Sequence, residues 1–369
     1  MSAVMRAKEA VFSMNVMQAY IDEQPAVLSR LLTGWPAQAS RLAQYLDGRP
    51  VRRVILFGSG SSYHASVLAA PFWARALGVE ATPAVPTRMD SLQGAAPDGL
   101  LCLAVSQGGR STSTYHEIQA LQARGIPVIA VTQSPDTPIG RQADLAFGLP
   151  IGEETIGAKT KGVTATAVTL ILLALTLGVL RGTADPGWIA GVRSGLRALV
   201  QQMPENIARS KRWAQTVCPV LAPARHLYVL GAGAAYGGAL EGALKLLETT
   251  YRPVSCYEFE EYLHGVQNAL DAHAYLLCLM PRGADQVRMR RLTGFAAGQG
   301  AHTFRISFDP ADGRGDCDLV LAGGASPALD GMAYLPALQT LSAQVSAYCG
   351  IDVTTPQYPD FFSQMESKL

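Results

Sequence analysis

The sequence predicts an α/β protein of two tandem domains, each a mainly parallel sheet sandwiched by helices, with an N-terminal helical extension. Three observations carry that expectation. The chain has 369 residues, more than one hydrophobic core usually organises. A β-rich run that stops at a glycine turn occurs twice, as Phe57-Gly-Ser-Gly-Ser-Ser-Tyr63 and as Leu230-Gly-Ala-Gly-Ala-Ala-Tyr236, so G-x-G-x-x-Y recurs at a constant offset between the halves. Behind each turn, apolar runs of strand length alternate with stretches of helical length, which is the rhythm of βαβ units.

Residues 1–48 read as the helical extension, with the segment before Met14 a candidate superfluous start. Residues 49–185 read as a first, phosphate-binding domain, with strands at Val51–Phe57, Leu100–Val105, Pro127–Val131 and Leu145–Leu149 and a helix over Thr112–Arg124. Residues 186–223, helical in character despite Pro186 and Pro204, read as the connection. A second domain at 224–350 repeats the pattern with strands at Arg225–Leu230, Ala274–Met280, His302–Ile306 and Leu319–Leu321 and a helix over Gln286–Gly298. Residues 351–369 form a tail.

Composition excludes several classes of partner. The chain is 49% hydrophobic and 16% charged, with a formal net charge of +1 and no long block of one sign, so it shows no footprint for nucleic acid or an anionic membrane. The run Gly162–Leu180 is uncharged and long enough for a membrane span, but four threonines interrupt it and a buried interface helix suits it better. Cys102, Cys218, Cys256, Cys278, Cys317 and Cys349 are far apart, form no C-x-x-C pair and follow no secretory segment, so they read as reduced, mostly buried thiols of a cytoplasmic protein. The closing Ser367-Lys368-Leu369 matches a peroxisomal address and is read as coincidence. No metal-ligand spacing and no phosphate loop of the G-x-x-x-x-G-K type occurs, so neither a metal nor any other cofactor is expected.

In open parallel sheets, ligands lie beyond the carboxyl ends of the strands, where helix N-termini present backbone N–H groups. Two turns in the first half suit a phosphate. Ser59, Ser61 and Ser62 follow the first strand, and Ser106-Gln-Gly-Gly-Arg-Ser-Thr112 follows the strand at Leu100–Val105. The plainer alternative is that these serines merely cap helices. A dinucleotide site is a second alternative, because Glu80 lies about twenty residues beyond Gly60; Tyr63, standing where that fingerprint has its third glycine, weighs against it.

The second repeat keeps its glycines and replaces the serines by Ala232, Ala234 and Ala235, which predicts a domain without a phosphate. It offers instead Glu241, Lys245 and Glu248 on one face of the following helix, either a solvated salt bridge or a working cluster. Downstream, Glu260-Glu-Tyr-Leu-His264-Gly265 puts a carboxylate and an imidazole three residues apart.

Taken in order, five segments resemble the sugar isomerase (SIS) family, in particular its two-domain members related to the isomerase half of glucosamine-6-phosphate synthase and to amino-sugar-phosphate deaminases and ketosamine-6-phosphate deglycases. They are Phe57–Tyr63, Val105–Thr112, Gly152–Lys161, Leu240–Glu248 and Glu261–Gly265. The resemblance implies that Ser61, Ser62, Ser106, Gln107 and Ser111 hold the phosphate and nearby hydroxyls of a sugar 6-phosphate. Glu248 would move a proton between C1 and C2 through an enediol or enolamine, Lys245 would stabilise charge developing on oxygen, and His264 would open the sugar ring from the partner subunit of a homodimer with a shared active site.

The departures from the family pattern point to the substrate. Gly108 and Lys159 stand where serines are common, so Lys159 either contacts substrate or faces solvent. The tail, Thr355-Pro-Gln-Tyr-Pro-Asp-Phe361, resembles that of degradative relatives rather than synthases, and Lys368 reads as poorly placed to serve as a tail lysine. No glutaminase domain is expected beside the two sugar domains, so coupled delivery of ammonia from glutamine is not expected. The expectation is a catabolic enzyme acting on an amino-sugar or ketosamine 6-phosphate as deaminase, deglycase or aldose-ketose isomerase. The alternative is a non-catalytic sugar-phosphate sensor.

Overall fold

The computed structural model of the protein describes residues 16–89, 98–323 and 326–369. The segment before Met14 thus lies outside the described residues. Two helices, α1 (Val16–Asp22) and α2 (Gln24–Tyr45), come first. The chain divides into two compact units. The first comprises Ala26–Glu154, Lys161–Arg197 and Pro356–Leu369, and the second comprises Thr155–Thr160 and Ala198–Thr355 with the chain as far as Pro25.

The first unit contains β1 (Arg53–Phe57), β2 (Glu80–Ala84), β3 (Leu100–Val105), β4 (Val128–Thr132) and β5 (Leu145–Gly148), all parallel, in the order β2-β1-β3-β4-β5. The central β3 and β4 are continuous apolar runs buried throughout, as strands covered on both faces must be. At the edge, β2 reads Glu-Ala-Thr-Pro-Ala; a proline without an N–H is tolerated there, and the polar composition hid this strand from the sequence reading.

Around this sheet lie α3 (Ser61–Leu77), α4 (Thr112–Ala123), α5 (Pro138–Gln142) and α6 (Lys161–Arg181). By length and composition alone α6 could cross a membrane. In the structure every residue from Lys161 to Gly178 is buried, and α6 packs along α3.

A single 36-residue helix, α7 (Pro186–Leu221), runs through Pro204 and Pro219 and leads into the second unit. There β6 (Leu227–Gly231), β7 (Val254–Glu258), β8 (Tyr275–Leu279), β9 (His302–Ser307) and β10 (Asp318–Val320) form a parallel sheet in the order β10-β9-β8-β6-β7. Read from its other edge, that is the strand order of the first unit, so the repeat seen in the glycine turns extends to the whole sheet.

The helices α8 (Tyr236–Thr250), α9 (Phe259–Tyr262), α10 (Ala284–Gly298) and α11 (Asp330–Tyr348) cover the second sheet. Side chains of β8 alternate between two cores. Leu277 and Leu279 meet α7, α8 and α11, whereas Leu276 and Cys278 meet α9 and α10. The α8–α11 contact depends on glycine: a Cβ at Gly238 would lie 2.5 Å from the Gly331 carbonyl oxygen, and one at Gly242 would lie 2.7 Å from Leu338 Cδ1. A last short helix, α12 (Phe361–Gln364), belongs to the tail. Of the cysteines, all free, Cys102, Cys218 and Cys278 are buried and the other three are half-buried.

Candidate functional site

Strand order reverses at the gap between β1 and β3, the place where doubly wound sheets of this order take their ligands. Both serine turns leave the carboxyl ends of these two strands, so the topology brings Ser61, Ser62, Ser106, Gln107 and Ser111 to one crevice. Gly58 permits the approach, since a Cβ there would stand 2.5 Å from the Val105 carbonyl oxygen and 2.9 Å from Ser62 Cβ. Gly60 takes φ 56°, a left-handed turn that costs glycine little, and α3 starts directly after it.

The helix-capping alternative does not describe these serines. The cap residues of α3 and α4 are Gly60 and Ser111, and neither makes a side-chain cap hydrogen bond. Ser111 Oγ instead accepts a hydrogen bond from Thr114 Oγ1 at 3.1 Å. Neither helix N-terminus carries a side-chain cap, which suits an anion, although the first N–H of α4, at Thr112, donates to the Ser367 carbonyl of the tail. Gly109, at φ 63°, seats the second turn against Thr137, where a Cβ would lie 2.2 Å from Thr137 Oγ1.

Two further residues complete the turn, and sequence reading assigned neither a role. The buried Glu154 accepts hydrogen bonds at Oε2 from Gln107 Nε2 (3.0 Å) and from the backbone N–H of Gly162 (3.1 Å), at the start of α6. Glu154 sits inside the segment Gly152–Lys161 already singled out, but nothing in its spacing says which of two adjacent glutamates turns inward.

Glu80 gives no support to a dinucleotide site. It opens β2 at the amino end of the strands, opposite the crevice, and pairs with Arg53 at 3.1 Å. The tail also corrects an expectation. Lys368 pairs through its backbone with Ser111, Thr112 N–H donates to the Ser367 carbonyl (3.2 Å), and Leu369 N–H donates to that of Arg110 (2.8 Å). The backbone of a residue read as poorly placed to serve as a tail lysine therefore runs beside the second serine turn, with its Nζ 3.4 Å from the centre of the Phe362 ring.

The remaining expected residues lie in the second unit. On α8, Glu241 and Lys245 are fully buried, and the Lys245 ammonium lies 3.4 Å from Glu241 and hydrogen-bonds Glu248. This is not a solvated surface pair. Burial pulls the Lys245 pKa down, but the two carboxylates outweigh it and the net shift is upward, so the lysine stays charged. Glu248, 33% exposed, is the one member of the cluster that reaches open space.

His264 is 69% exposed, with Nδ1 2.8 Å from the Glu260 carbonyl oxygen; the carboxylate nearest to it is Glu260, one helical turn back, rather than Glu261. Lys159 is half-buried beside Thr160.

The SIS domain matches residues 49–176 and 220–308, a stretch in each half of the chain. The chain belongs to the SIS domain family. Among SIS proteins, the glutamine–fructose-6-phosphate aminotransferase (isomerizing) of Pseudomonas putida is 27% identical over 93% of this chain and 57% of its own length. The chain thus spans little more than half of that relative. The C-terminal domain of glucosamine-fructose-6-phosphate aminotransferase from Francisella tularensis superposes with a TM-score of 0.84 at 20% identity, covering 93% of this chain and 98% of that one. Glucosamine-6-phosphate deaminase from Thermotoga maritima does so with a TM-score of 0.70 at 19% identity, covering 90% and 98%. At such identities these two likenesses speak for the fold.

Proposed function

We propose that this SIS protein is an enzyme acting on an amino-sugar or ketosamine 6-phosphate. Ser61, Ser62, Ser106 and Ser111 hold the phosphate by hydroxyl and backbone N–H donors. Glu248 moves a proton between C1 and C2, Lys245 steadies charge on the adjacent oxygen, and His264, supplied by the partner subunit of a cytoplasmic homodimer, opens the ring. Lys159 borders the substrate. The observation that carries the reading is the meeting of two hydroxyl-lined turns, each leading into a helix without a side-chain cap, at the β1/β3 switch point.

Three further points support it. The relatives and structural neighbours are named for sugar-phosphate chemistry, deamination included. Glu248 keeps a partly exposed carboxylate on a buried lysine, an arrangement that a pure binding module does not require. The exposure of His264 leaves its ring accessible to a second copy of the chain.

The test is to incubate the protein with glucosamine 6-phosphate and with fructosamine 6-phosphates while following hexose 6-phosphate and free amine. Release of hexose phosphate together with ammonia or an amine is the expected result. Tight binding across the panel with no turnover would leave a sugar-phosphate sensor in its place.

A further inference from the structure

We infer that Glu154 is a positioning residue that makes Gln107 a reader of a sugar hydroxyl rather than a ligand of the phosphate. Gln107 is 8% exposed and sits at the heart of the second serine turn. Its amide has two ends of opposite character, and at an ordinary site they can exchange by a flip. Here they cannot. Glu154 Oε2 already accepts the Gly162 backbone N–H, a group that can only donate, so that oxygen is an acceptor and whatever else meets it must also donate. Nε2 of Gln107 is the group that does, at 3.0 Å.

Gly162 completes the arrangement. A Cβ there would overlap the amide, 1.9 Å from Nε2 and 2.3 Å from Oε1, so the helix start is bare where the amide lies against it. With Nε2 turned to Glu154, the carbonyl oxygen Oε1 is left as the end that accepts, and it takes no hydrogen bond from the described residues. An ionised phosphate oxygen only accepts, and two acceptors repel. A sugar hydroxyl donates and fits. The turn therefore divides its work: serine hydroxyls and helix N-termini take the anion, and the locked amide takes a hydroxyl of the carbon chain.

This inference rests on the sugar-phosphate reading, and the experiment separates the two. Fructose 6-phosphate and inorganic phosphate are titrated calorimetrically into the wild type and into Gly162→Ala, Glu154→Leu, Glu154→Gln and Gln107→Met. Gly162→Ala displaces the amide, Glu154→Leu releases it, and Gln107→Met removes the acceptor; each is expected to weaken fructose 6-phosphate roughly tenfold, the worth of one neutral hydrogen bond, while inorganic phosphate stays within about twofold. Glu154→Gln keeps an oxygen for both donors and recovers most of the affinity.

If Glu154→Leu does not fold, the comparison of Gln107→Met with Gly162→Ala stands alone. Equal loss of both ligands, or an unchanged affinity for fructose 6-phosphate in Gln107→Met, overturns the role given to Glu154 and Gln107. A wild type that binds neither ligand overturns the sugar-phosphate reading itself.

Discussion

Replacing Lys245 by methionine tests the most consequential packing choice in the second unit. The lysine is buried and compensates Glu241, which has no exposure of its own. Methionine fills nearly the same volume, so the variant removes charge with little cavity. What remains is a buried carboxylate deprived of its ammonium, and breaking a buried pair in this way costs about 3–5 kcal/mol. For a unit of this size, about 2–4 °C of melting temperature accompanies each kcal/mol, so calorimetry is expected to show the transition of the second unit lowered by roughly 6–20 °C.

Removing both charges together, as Glu241→Leu with Lys245→Met, is expected to restore most of that loss, since a buried pair exchanged for apolar side chains is often neutral. The alkaline limb provides a second readout. A lysine with its pKa raised in the fold contributes stability that is complete below its ordinary value of 10.5 and fades as pH climbs past it, and Lys245→Met lacks this loss. A Lys245→Met protein melting within a few degrees of wild type, or a double variant no better than the single, would refute the reasoning.

The remaining predictions concern the turns and one buried acid. Gly58→Ala places a Cβ 2.5 Å from the Val105 carbonyl oxygen, so the ends of β1 and β3 must part; a loss of about 1–3 kcal/mol in denaturant unfolding is expected, with weaker phosphate binding alongside. Ser106→Ala is expected to raise KM for a sugar phosphate with kcat little changed, which steady-state kinetics would show. Asp330 is raised from 3.8 to about 6 by burial, against the pull of Arg282 at 2.9 Å. A raised acid favours the fold most at low pH, so its contribution is complete below about pH 4 and lost as pH rises through 6; in Asp330→Asn, chemical denaturation followed across that window should lose this slope.

Much of the fold was legible because buried parallel strands announce themselves. The apolar runs at Leu100–Val105 and at Val128–Thr132 could hardly be anything else, and glycine marked the ends of β1 and β6. β2 and β7 were not legible. β2 is a polar edge strand containing Pro83, and β7 is half-buried along its whole length. The helix α11 was missed because it is buried on nearly every side, so its apolar and small residues show no amphipathic period.

At the site, the serine turns were readable from local composition, whereas the Glu154–Gln107–Gly162 lock joins the second turn to a segment 47 residues further along the chain. The same holds for the tail, whose return to Arg110–Thr112 depends on backbone pairing that carries no signature in side-chain type. Burial of Glu241 and Lys245 was hidden for a different reason: a charged pair four residues apart looks the same in sequence on a solvated face and in a core.

Proton transfer at the sugar carbons is the claim on which the functional account turns, and isotope exchange measures it whatever the leaving amine is. Fructose 6-phosphate incubated with the wild type in heavy water is expected to take up carbon-bound deuterium at C1, with any aldose 6-phosphate formed carrying it at C2, and Glu248→Gln should slow that uptake by about a hundredfold or more while still binding the ligand. Uptake that continues undiminished in Glu248→Gln, or a wild type that binds the sugar phosphate and leaves its carbon-bound hydrogens in place, would contradict it.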